Sequence, residues 1–79
     1  MNEVDIETTK EIICITACEY PLLDSEWIES LSALTGNDEN LPYLSEAALT
    51  FIEDVRIWAQ NENIGDDLLL AAVRRIYEE

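Results

Sequence analysis

The sequence predicts an all-α fold, a compact bundle of three or four short helices. Three observations predict it. Apolar residues recur at three- and four-residue spacing along most of the chain. Only two Gly and two Pro punctuate 79 residues, too few breakers for a many-turned sheet. Apolar residues make up 48%, enough to build a packed core. The length predicts one domain spanning residues 1–79. A chain of this size buries only roughly 60% of its unfolded surface, so marginal stability is expected.

The first segment runs from about Asp5 to Tyr20. Thr8-x-x-Glu11 has the form of a capping box, and Asp5 offers an earlier cap. Ile6, Ile13, Ala17 and Tyr20 fall at helical spacing, with Ile12 and Thr16 beside them. The run Ile12-Ile13-Cys14-Ile15 is apolar all round, so a buried strand competes locally. The helical pattern continues on both sides of it and favours helix. Pro21 ends the segment, because the residue before proline avoids helical backbone angles.

The second segment runs from Asp24 or Ser25 to Thr35. Asp24 is a good N-cap, with Leu23 and Ile28 at the hydrophobic-staple positions around it. Trp27, Ile28, Leu31 and Leu34 make the expected inward stripe. Gly36 suits the residue just past the helix, and Asn37-Asp38-Glu39-Asn40 reads as loop. The third segment, from Pro42 or Ser45 to Asn61, has the clearest pattern. Leu44, Ala48, Phe51, Ile52, Val55 and Trp58 share one face. Glu46, Thr50, Glu53, Asp54 and Gln60 fall largely on the other. After a break at Gly65, a fourth helix begins near Asn63 or Asp66 and ends near Tyr77. Leu69, Ala72, Val73 and Ile76 point inward in this reading. The loops are short, which predicts antiparallel packing of sequence neighbours.

Charge is the strongest functional signal. Eighteen acids face four bases, a formal net charge of −14. Residues 1–40 hold ten acids against one Lys, and residues 41–79 hold eight against three Arg. Such a field disfavours direct contact with nucleic acid or an anionic membrane and favours a basic protein partner. Solubility alone asks for less charge than this. Glu3, Glu7 and Glu11 stack at four-residue intervals, each pair repulsive by a few tenths of a kcal/mol. The favourable neighbours expected are Glu7 with Lys10, Glu53 with Arg56, and Arg74 and Arg75 with Glu78 and Glu79.

Catalytic chemistry finds little to stand on. The chain has no His, so its serines lack the usual base of a nucleophilic triad. Gly36 and Gly65 stand alone, with no phosphate-cradling loop. Residues 37–40 have a calcium-like composition but lack the glycine and the final glutamate of an EF-hand loop. Cys14 and Cys18 supply two metal ligands with no third Cys or His to complete a tetrahedron. Four apart on one helix face, they are poorly placed for a bridge, and we expect reduced thiols acting as small apolar fillers. No positively charged start followed by a long apolar run is present, and the longest apolar stretch, Leu68 to Val73, is too short to span a bilayer. The expected compartment is cytoplasmic. No catalytic residue, cofactor or metal site is predicted.

Asp24-Ser25 is similar to the dipeptide that carries phosphopantetheine in acyl carrier proteins, which are also small acidic four-helix domains. That family places an apolar residue after the serine and a long loop before its helix. Here Glu26 follows, and only Pro21-Leu22-Leu23 precedes. The likeness covers two residues. In size and charge the chain also resembles, as a class, the small acidic phage proteins that block restriction or CRISPR machinery.

These features predict a non-enzymatic inhibitor whose acidic surface occupies a basic, nucleic-acid-binding site on a partner protein, a nucleic-acid mimic of anti-CRISPR type. The competing expectations are an immunity protein or antitoxin against a basic nuclease, an adaptor or subunit of a larger assembly, and, remotely, a carrier protein. The expected binding surface is the outer face of the third segment, with Glu46, Glu53 and Asp54 around Leu49 and Ile57, and Tyr43 near its start. Glu3, Glu7 and Glu11 form the rival surface. An apolar patch rimmed by acids suits a basic, partly apolar groove.

Overall fold

The computed structural model describes residues 5–39 and 41–78. Glu3 and Glu79, two of the acids weighed above, and Asn40 of the predicted loop lie outside them. The described residues form four α-helices: α1 (Ile6–Cys18), α2 (Asp24–Leu34), α3 (Glu46–Asn61) and α4 (Asp66–Glu78), with a 3-10 turn at Leu41–Tyr43 before α3. They contain no strand, so the Ile12–Ile15 run is helical.

Helix α1 starts from the earlier of its two caps. The Asp5 carboxylate accepts from the Thr8 N–H at 2.8 Å. That bond, with a further one from the Thr8 hydroxyl, holds the Asp5 carboxyl below its ordinary range. Thr9 is fully buried, and its hydroxyl donates to the Asp5 carbonyl at 2.8 Å.

Helix α2 begins at Asp24, the earlier of the two expected starts, but its cap lies one residue before the one expected. Leu23, not Asp24, is the N-cap, and a leucine offers no acceptor. Glu26 supplies the reciprocal bond instead: its Oε1 accepts from the Leu23 N–H at 3.1 Å. The staple positions shift with the cap, to Leu22 and Trp27, and both pack against the core. Leu23 and Ile28 are then left outside, 67% and 55% exposed. The inward stripe therefore loses Ile28 and gains Ser30, which is fully buried.

Two helices end in the same hydrogen-bond pattern. Past α2, Gly36 has φ +103° and donates to Ala33, while Asn37 donates to Ser32. Past α3, Asn63 has φ +57° and donates to Gln60, while Ile64 donates to Ala59. Both are Schellman turns, which need one residue in the left-handed region. The second break is thus made by Asn63, one of the few side chains that tolerate that region, and not by Gly65. Gly65 instead precedes α4, its carbonyl accepting from Leu69 at 3.2 Å. Helix α3 starts at Ser45, whose hydroxyl accepts from Ala48 at 3.2 Å.

One core joins the four helices. Ile13, Leu31, Ala48, Phe51, Val55, Ala72 and Val73 are all at most 1% exposed. Phe51 stacks obliquely between Trp27 (5.9 Å) and Tyr20 (6.4 Å). The Cα radius of gyration is 11.8 Å, close to the roughly 12 Å expected of a compact chain this long. Helix α1 packs chiefly on α4 and also on α3; α2 packs chiefly on α3 and also on α4. Of the consecutive pairs only α2 and α3 pack extensively, so antiparallel packing of every sequence neighbour does not hold. The Schellman turn at Asn63 redirects the chain, and α4 reaches across to cover α1. No described helix is long and apolar enough to cross a membrane.

Candidate acidic binding face

Helix α3 turns Phe51, Ile52, Val55 and Ala59 inward, which fixes what its opposite side presents. Glu46, Glu53 and Ile57 project from the side farthest from that core stripe, with Leu49 and Asp54 flanking them, and all five are exposed. Leu49 is 39% and Ile57 48% exposed. Neither belongs to the core or to the partly buried side chains packed against it. Tyr43, just before the helix, is 84% exposed.

The acids on this face differ in their attachments. Among the described residues, Glu46 and Glu53 form no ion pair. Glu53 does not pair with Arg56, contrary to the local expectation. The Arg56 guanidinium turns toward α2, donating to the Ala33 carbonyl at 2.9 Å and to Asp38 at 3.1 Å. The negative end of the α2 dipole and an acid beside it explain the preference. Asp54 is engaged: its carboxylate accepts from the Tyr20 hydroxyl. That bond is the main reason the Tyr20 hydroxyl titrates above its ordinary value, with burial and the Asp54 charge adding to it. Sequence reading missed this link, because a bond between residues 34 apart leaves no local pattern.

The rival surface on α1 is partly neutralised. Glu7 accepts from Arg75 of α4 at 2.8 Å and lies 3.6 Å from Lys10. Arg75 therefore reaches across to α1; it forms no ion pair with Glu78, and Glu79, the other acid expected near it, lies outside the described residues. Glu11 is exposed. Glu26, read only as a first-turn acid, bridges two helices: its Oε2 accepts from the Ser45 N–H at 3.1 Å while Oε1 holds Leu23. Hydrogen bonds from Ser45 first, and from the Leu23 N–H second, keep its carboxyl below the ordinary range.

Comparison with known protein families, characterised proteins and solved structures finds no match. The reading of this face therefore rests on its chemistry.

No described carboxylate is buried; among the described residues the buried polar side chains are Thr9 and Ser30. Among the described residues, no three Cys, Asp or Glu side chains converge as metal ligands would. Cys14 is half-buried and Cys18 exposed, and the two are unbridged. Ser25 is exposed in the first turn of α2, and Glu26 beside it is already committed to the two backbone N–H groups. What the α3 face offers is two uncommitted carboxylates, Glu46 and Glu53, and the Tyr20-bound Asp54, around two aliphatic side chains. Carboxylates accept hydrogen bonds from Lys and Arg and steer a cation from a distance; the aliphatic pair supplies area that gains by desolvation.

Proposed function

We propose that the protein is a non-enzymatic inhibitor that places the outer face of α3 in a basic, nucleic-acid-binding site of a partner protein. The observation that carries this is the pairing state of that face. Glu46 and Glu53 lie exposed and without a cation among the described residues, around Leu49 and Ile57, in a chain of net charge −14. Three of the four cations in the chain, Lys10, Arg56 and Arg75, are spent on other acids. An external Lys- or Arg-rich surface would supply the missing counter-charge. The exposed aliphatic pair would give contact that a purely electrostatic encounter lacks.

Immobilised protein should retain basic proteins from a lysate at low salt and release them to duplex DNA as competitor. The charge-reversal variant is Glu46→Lys with Glu53→Lys, since Asp54 is already held by Tyr20. It should retain less than a variant reversed at Glu78 and Glu79. Equal loss in both would reduce the interaction to diffuse electrostatics and overturn the named face, and retention insensitive to competing DNA would overturn the mimic.

A further inference from the structure

A shallow groove opens where the C-terminal end of α1 meets the start of α2. Its walls are mostly apolar: Cys14, Ala17, Cys18, Tyr20, Leu22 and Trp27. The Leu23 cap helps to build it, because it puts Leu22 and Trp27 at the staple positions, packed against the core with their outer edges accessible. Phe51, fully buried between Tyr20 and Trp27, backs it from the core. Asp24 is the one charged group in its lining, and no lining residue is a cation. Glu19 is exposed beside Tyr20. Tyr20 links the groove to the α3 face, since it lines the groove and donates its hydroxyl to Asp54.

We propose that this groove is the anchor pocket of the acidic face, taking one aliphatic side chain that the basic partner carries between Lys or Arg residues. The proposal rests on the reading of α3 as the binding face. Charge decides the class of occupant. A bare apolar group would leave Asp24 and Asp54 without counter-charge, and a bare cation would gain nothing from Trp27 and Leu22. A side chain that is apolar at its centre and flanked by cations satisfies both. Such an anchor in a desolvated pocket, with charges at the rim, is the arrangement that concentrates binding energy in other interfaces. Acids on α3 then set the encounter rate and the groove sets the dissociation rate.

Two short lysine peptides of equal length and charge test this, one with a central Leu and one with a central Ala. The Leu peptide should bind about tenfold more tightly, the change expected from burying the larger side chain. It should also shield Cys18 from a thiol reagent, which the Ala peptide should not do. Cys18→Phe, which fills the groove, should erase the preference for Leu over Ala. Should that variant fail to fold, thiol shielding in the unaltered chain decides alone. Equal affinity for the two peptides, with no shielding, overturns the groove and leaves the acidic face standing. Binding of neither peptide overturns the face and the groove together. Thiol shielding that grows with protein concentration, without peptide, would mean that a second copy covers the groove, and would also overturn the proposal.

Discussion

A single hydroxyl shows how one atom weighs on a chain this small. Ser30 is fully buried on α2, and its Oγ has no hydrogen-bond partner. An unmet buried donor costs about 1–3 kcal/mol, and serine is also a poorer helix former than alanine. Ser30→Ala should therefore stabilise the fold by about 1 kcal/mol, seen as a higher urea midpoint with an unchanged slope. Glu26 makes the opposite case, an exposed-type residue that holds structure. Its carboxyl titrates below its ordinary value of 4.5 because Ser45 and Leu23 donate to the charged form. A depressed carboxyl contributes stability that is present above 4.5 and lost as pH falls through the lower, folded value. Glu26→Gln should lower the denaturation midpoint at neutral pH, and the difference from the unaltered chain should close as the solution is acidified below 4.5. A difference that persists unchanged in acid would remove the clamp from the account.

Between helices, the decisive contacts are those that tie one element's end to another's side. Arg56 does this for α2: from α3 it donates to Ala33 and Asp38 beside the Schellman turn at Gly36. Arg56→Lys keeps the charge and loses the planar fork, so a cost of about 1 kcal/mol is expected after solvent screening. Tyr20 ties α1 to α3 through Asp54. The raised titration of Tyr20 should appear as a late phase in an absorbance titration, and Asp54→Asn should bring the midpoint of that phase down. The stability carried by this bond is present below the ordinary tyrosine value of 10.0 and lost as pH rises through the folded one. These ties also mark where sequence reading stops. The stripe of α3 was legible because Ala48, Phe51, Ile52 and Val55 repeat with the helical period, and the outward residues followed from it. The α2 cap was not, because Asp24 is the better cap by chemistry and Glu26 overrides it only through Ser45, nineteen residues away. Arg56 and Arg75 were assigned to local acids for the same reason; their partners come from other helices. The groove was invisible because it depends on the frame of that cap.

At the scale of the whole molecule, the charge of −14 acts in two directions that salt separates. Raising ionic strength from about 0.01 M to about 1 M shortens the screening length from about 30 Å to about 3 Å. Self-repulsion among the acids then fades, so thermal stability should rise with salt, while binding to a basic partner should weaken. A melting temperature and a binding constant that moved in the same direction would contradict this division. The packing scheme has a different kind of consequence. Helix α1 has its largest contact with α4, and Glu7 meets Arg75 across 68 residues of chain. Helical bundles usually fold fast because their contacts are local, and loop closure grows more costly with the length of chain enclosed. Here the first helix cannot complete its packing until the last one has been made. During synthesis α1 should therefore finish its packing late, after α2 and α3 have paired as neighbours. The order of assembly should run from the middle of the chain outward, with the two outer helices closing together as the final step.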